Sequence, residues 1–251
     1  MPTYAPMESK IQTSSSSPPS RLVPTAISVV IVLGLAAAAW LSLRGHETSI
    51  MDLHPEVAQR EPLPDRLWQA DNRLRGDVTA PVTLIEYSDF TCGYCGKFFR
   101  ETWPILSKKY VETGKLRFLY RDYPRDPEGA GMAGAIAARC AGAQGQYWPM
   151  HDRLFAQGMD AAPLSEHAKA LGLDRAKFDA CLRDATFRQA ILREKEDGMT
   201  LGFVGTPGFI LLRTAQGGKE KPIGLPGAFP AAVFEEEIEK LLQPSGAAAK
   251  G

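Results

Sequence analysis

This chain is short of several things that would mark other classes of protein. Lys and Arg together number 29, and Asp and Glu together also number 29. No basic excess exists to neutralise phosphates, so nucleic acid is excluded as the main partner. Four cysteines in 251 residues are too few for a small scaffold stapled by disulfides. The four histidines show no ligand spacing, either with one another or with the cysteines. A zinc site built from them has no support, and no metal is expected. No internal repeat is found. Residues 125–200 hold few β-branched side chains, which argues against strands there. The length allows one large domain or two small ones.

What the chain does have begins with a tail. Residues 1–24 are rich in Ser and Pro and cannot pack a core. Residues 25–43 then form an uncharged apolar run, close to the ~20 residues a helix needs to span a bilayer. A retained signal anchor and a cleaved signal peptide both fit this run. The apolar character continues through Trp40, Leu41 and Leu43, past a tidy cleavage site, which favours the anchor. Lys10 and Arg21 lie on the short N-terminal side, so the rest of the chain is expected outside the cytoplasm. Residues 44–75 are polar, with Pro55, Pro62 and Pro64, and read as a linker ending in a short helix at 65–75. Residues 76–243 form the folded domain, and 244–251 a frayed tail.

Within that domain, 82–87 reads as a buried strand and 96–113 as a helix stopped by Gly114. Alternating polarity over 115–123 predicts a second strand, ended by Pro124. The Ala-rich block that follows carries candidate helices at 129–144, 147–157, 165–171, 175–184 and 186–201. Strand signals resume at 208–213, then a hairpin turn at 216–219 and a partner strand at 221–224. A last helix covers 228–242. The order is a βαβ unit and a ββα unit with helices between them. A right-handed crossover gives parallel pairing in the first, and the hairpin gives antiparallel pairing in the second. The expected fold is a mixed sheet covered by helices, with an inserted helical subdomain at about 125–200.

Cys92-Gly93-Tyr94-Cys95 falls at the junction of the first strand and helix. Two thiols at this spacing form a redox pair. The first lies at the helix N-terminus, where unpaired N–H groups and the dipole favour a thiolate. The second, one turn inward, can close the disulfide or resolve a mixed one. Cys92 is the candidate nucleophile and Cys95 the resolving thiol. A zinc half-site is the competing reading, but it needs a second ligand pair that Cys140 and Cys181 do not provide. Those two lie on separate predicted helices of the insertion. They form either a structural disulfide or two buried thiols, and an exported location favours the disulfide.

The stretch 82–99, with Glu86-Tyr87-Ser88-Asp89-Phe90-Thr91 ahead of the cysteines, resembles the active-site segment of the DsbA-like thiol:disulfide oxidoreductases. Gly205-Thr206-Pro207-Gly208-Phe209 is similar to that family's cis-proline loop, and the helical block matches its insertion. The resemblance implies a thioredoxin-like α/β fold and a redox-active disulfide with no cofactor. It also implies a buried acid at Glu86, able to shuttle a proton for Cys95. An ordinary strand Glu facing water is the alternative. It implies a cis bond before Pro207, although the general preference for trans points the other way. Thr206, with Gly205, would offer backbone groups to a substrate strand. Phe90 and Tyr94 are expected to add substrate contacts, while His151 is expected at the surface or in a capping position.

Three functional readings follow. The first is a membrane-anchored oxidase on the outer face of the cell (inner) membrane. It would introduce disulfides into reduced or unfolded exported proteins and be reoxidised by a membrane redox partner. The second is a reductase or isomerase of the same fold, and Gly93-Tyr94 does not separate it from the first. The third is an anchored chaperone or binding module whose CxxC is only structural.

Overall fold

The computed structural model describes residues 63–159 and 162–244. The expected tail and apolar run lie outside these residues, as does most of the linker. Among the described residues no helix is long and apolar enough to cross a membrane. The chain divides into two units, Met1–Glu47 and Thr48–Gly251, and everything described belongs to the second.

The sheet forms where the apolar runs demand it. Strand β2 (Val82–Ser88) is buried at every position, because helices cover both of its faces. It pairs in parallel with β3 (Leu116–Asp122), placing Glu86 opposite Tyr120. On its other side it pairs antiparallel with β4 (Gly208–Arg213), placing Glu86 opposite Phe209. β5 (Ile223–Pro226) and the two-residue β1 (Leu74–Arg75) close the edges, giving the order β1-β3-β2-β4-β5. The alternation of a strand separates the two faces. Val82 and Leu84 join the larger core with Phe118, Tyr120, Phe209 and Leu211. Ile85 and Tyr87 join the smaller one with Leu119, Ile210 and Phe203.

Three local expectations are corrected. The helix expected over 65–75 is only α1, Asp65–Trp68. The Asp71 carboxylate accepts from Arg73 N at 2.8 Å, and Leu74 N bonds back to Asp71 O. That turn redirects the chain into β1. The partner strand lies two residues further on than expected, after Pro222, whose missing N–H suits it poorly to a ladder. The last helix, α8 (Ala231–Leu242), starts behind Pro230 rather than at 228.

Helix α2 spans residues 93–111 and widens at Phe98–Thr102, just ahead of Pro104, and again at Ser107–Val111. Pro104 has no N–H to give the preceding turn, and a wide π-turn accommodates the loss. The insertion between β3 and β4 holds α3 (Ala130–Gly142), α4 (Tyr147–Gln157), α5 (Leu164–Ala170), α6 (Arg175–Leu182) and α7 (Ala185–Thr200). Asp174 and Asp184 cap α6 and α7, accepting from Lys177 N and Thr186 N. A disulfide between Cys140 and Cys181, with Cα atoms 5.7 Å apart, ties α3 to α6.

A seam of charges joins the insertion to the sheet. Glu194 on α7 receives both Arg73 nitrogens, at 2.6 and 2.8 Å, and Arg139 Nη2 at 2.8 Å. It also accepts from the backbone N–H of Asp122 at 2.8 Å, and Arg139 Nε reaches the Asp122 carboxylate at 2.7 Å. Three segments distant in sequence therefore converge on the carboxylate of a fourth.

Candidate active site

The site is built on the loop between β2 and α2. Asp89 shapes that loop. Its buried carboxylate accepts from Thr91 N and Thr91 Oγ1 at 2.8 and 2.7 Å, and from Arg125 N at 2.9 Å. Cys92 N donates to Asp89 O at 3.0 Å. The loop is thus fixed both to itself and to the segment leading into the insertion. Gly131 of α3 sits so close that a Cβ there would meet Asp89 Oδ1 at 2.3 Å, so only glycine fits. Sequence singles out neither residue for the site, although the Asp-x-Thr spacing of an Asx-turn is a signal for Asp89.

Cys92 takes the N-cap position of α2 with extended backbone and no capping bond from its side chain. Its sulfur is free to face the loop before β4, and Sγ donates to Thr206 O at 3.3 Å. Thr206 and Pro207 are joined by a cis peptide bond. Cys92 and Cys95 are both free thiols, Cys95 fully buried one turn inside. Their environments push their acidities apart. A hydrogen bond from Cys95 is the largest influence on Cys92, opposed by burial. Thr206 and the backbone N–H groups of Cys95 and Tyr94 add to it, and the Cys92 thiol falls to about 5. Burial is the largest influence on Cys95, and the neighbouring Cys92 and Glu86 add to it, holding that thiol well above its ordinary value.

Glu86 lies beneath the pair on β2, 3% exposed. Burial pushes its pKa up to about 8, against the pull of a hydrogen bond from Ser88 Oγ at 2.7 Å. No cation reaches it among the described residues, so it is a neutral acid at pH 7. Chemically, the arrangement offers a stabilised thiolate, a second thiol that holds its proton and a carboxyl able to give one up.

The expected substrate-contact residues separate into two groups. Tyr94 is 68% exposed, and Gly205 and Thr206 line a groove of about 260 Å³ with Phe203, Pro207 and Pro226. Val204, which sequence did not single out, stands fully exposed on the same loop. Phe90 instead lies inside. Its ring packs on Phe155, Tyr120 and His151 with centroids 4.8, 5.5 and 5.6 Å away. His151 also departs from its expected surface position. It is buried among Phe90, Tyr120 and Trp148, and burial pulls its imidazole down to about 4. Among the described residues no cluster fit to hold a metal is found.

The comparisons with known proteins fall on this same region. A family model described as Thioredoxin matches residues 69–218. A Na(+)/H(+) antiporter NhaA 1 of Salinispora arenicola is 35% identical over 175 residues, 68% of this chain but 24% of that protein. A Rickettsia conorii protein named as a candidate protein-disulfide oxidoreductase is 25% identical over 150 residues, covering 56% of this chain and 53% of its own length. The chain thus spans from about a quarter to about half the length of these two relatives. The crystal structure of alpha-DsbA1 from Wolbachia pipientis superposes with a TM-score of 0.58 at 25% identity, over 70% of this chain and 94% of that one.

Proposed function

Because the chain belongs to the thioredoxin family, we propose that it is a DsbA-like thiol:disulfide oxidoreductase that works as an oxidase. The opposed acidities of Cys92 and Cys95 carry this reading. A thiolate stable at about 5 is a good leaving group, and a disulfide ending in such a group is a strong oxidant. A client thiolate attacks the Cys92 sulfur, forming a client–Cys92 bond and breaking the Cys92–Cys95 bond. Cys95 departs with the electron pair and takes a proton. The client's second thiolate then attacks its own sulfur in the mixed disulfide, and Cys92 leaves as the thiolate. The client is oxidised by two electrons and the enzyme reduced by two.

Cys92, Cys95, Glu86 and Pro207 form the reacting group in this reading. The groove lined by Gly205 and Thr206 receives the client chain as an added strand, with sequence tolerance supplied by backbone contacts, and exposed Tyr94 adds a further contact. The clients are reduced or unfolded exported proteins, and a membrane redox partner removes the two electrons. The apolar run at 25–43 supports a single-pass anchor in the cell membrane with the enzyme on its outer side. The Cys140–Cys181 disulfide fits an oxidising compartment.

The test is the equilibrium potential of the Cys92–Cys95 couple, measured on the full chain in glutathione buffers. A potential near about −120 mV, that of DsbA, supports the oxidase. One near about −270 mV, that of thioredoxin, replaces it with a reductase. No exchange at all leaves only a structural CxxC.

A further inference from the structure

Strand β2 carries a second buried polar group beyond its acid. Ser88 follows Glu86 by two residues, so the strand's alternation places both side chains on one face. Ser88 is 1% exposed, Glu86 3%, and their oxygens lie 2.7 Å apart. Cys95, buried completely, belongs to the core on the same face. The Ser88 hydroxyl is near enough to act on the Cys95 thiol, pulling it down while Glu86 pushes it up. The Ser88 backbone is pinned by Tyr123 N, which donates to its carbonyl at 2.7 Å.

A hydroxyl donates and accepts at once, and its hydrogen rotates to suit. Cys95 has no exposed surface through which bulk water could protonate it. Other groups near the acid do not fill this role. Cys92 and Cys95 face it from α2, and Tyr120 lies opposite it on β3, but the buried Tyr120 hydroxyl hydrogen-bonds to nothing among the described residues. β4 brings Phe209 opposite it, with no charge.

We propose that Ser88 relays the proton between the Glu86 carboxyl and the Cys95 sulfur. The relay rests on the reading of Cys92–Cys95 as an exchanging pair. When the client thiolate breaks the disulfide, Cys95 leaves with the electron pair. Ser88 gives its proton to that sulfur and takes one from the Glu86 carboxyl, which becomes a carboxylate. In the reverse direction, Glu86 recovers the proton through Ser88 as Cys95 attacks.

The experiment follows reduction of the Cys92–Cys95 disulfide by glutathione across pH 6–9, on the full chain, with rates corrected for the glutathione thiolate fraction. The wild-type rate is expected to bend where Glu86 titrates, above its ordinary 4.5 and below about 8, because the disulfide form lacks the Cys92 thiolate. Ser88→Ala is expected to slow the reaction by about tenfold below the bend and to remove the bend. In a Glu86→Gln background the same change is expected to add almost nothing, because both act on one proton path. An unchanged rate and profile in Ser88→Ala overturns the relay, and so does full additivity with Glu86→Gln. A wild-type chain that does not exchange at all overturns the proposed function instead, and the relay with it. If Ser88→Ala does not fold, the wild type still decides. Rates in mixtures of light and heavy water are expected to curve for two protons in flight, and a straight line overturns the relay.

Discussion

Buried Glu86 and half-buried Glu194 hold their protons in opposite ways. Glu86 lies under the cysteines with one hydroxyl for company, and burial lifts it to about 8. Glu194 lies in the seam between insertion and sheet. Burial would raise it too, but Arg73 and Arg139 outweigh that and bring it down to about 2. Depth in the protein is therefore not what sets the charge of a carboxyl; the presence of cations is. The seam needs a permanent anion to hold segments together. The site needs a carboxyl that can exist in both forms near neutral pH.

The strongest way to break the comparison is to empty the seam. Glu194→Ala leaves Arg73, Arg121 and Arg139 to share the carboxylates of Asp71 and Asp122, and one cation is then uncompensated. A loss of about 3–5 kcal/mol in urea unfolding is expected, with Glu194→Gln in between because its amide oxygen still accepts from Asp122 N. A loss under about 1 kcal/mol would show that the seam is not holding the insertion down. The wild-type contribution also depends on pH. Glu194 titrates below its ordinary 4.5, so its stabilisation is complete above about 4.5 and fades as the pH falls towards about 2.

Glu86 has the opposite sign. Its folded value lies above its ordinary 4.5, so the native state binds the extra proton between about 4.5 and 8. Stability is fullest below about 4.5 and declines as the pH rises through that window. Glu86→Gln removes the titration and keeps the shape. The reduced variant is expected to match wild type near pH 5 and to exceed it near pH 8 by a few kcal/mol. Parallel stability curves for the two proteins from pH 5 to 8 would mean that Glu86 is ionised in the native state, and the contrast with Glu194 would collapse.

Sequence exposes one of these glutamates and hides the other, for physical reasons. Glu86 stands between Ile85 and Tyr87 on a strand whose neighbours are apolar, so its burial can be read locally. Arg73, Asp122, Arg139 and Glu194 are far apart along the chain, and charged residues belong at the surface unless a partner is known. The helices of the insertion are legible because the block is Ala-rich, with few β-branched side chains and recurring helical spacing. The parallel and antiparallel pairing follows from connection lengths alone. β1 is not legible, since two residues carry no period. His151 and Phe90 mislead because an imidazole and a ring beside a catalytic motif look available, and only the packing of α4 on β3 shows them enclosed.

The smallest expected effect sharpens the comparison most. Among the influences on Glu86, the Cys92 sulfur adds to the rise caused by burial, because a nearby thiolate disfavours a second negative charge. Cys92→Ser removes that thiolate and keeps a hydroxyl of similar size. The Glu86 titration, followed by the infrared band of its protonated carboxyl, is expected to move downward while staying above the ordinary 4.5. Burial would then be isolated as the dominant cause, with the sulfur's charge as the lesser one. Glu194 offers the control in the same spectra, since no cysteine is among the groups that set its acidity, and its titration is expected to stay where it was. A fall of Glu86 all the way to the ordinary value would instead make the thiolate, not the apolar surroundings, the reason this carboxyl keeps its proton.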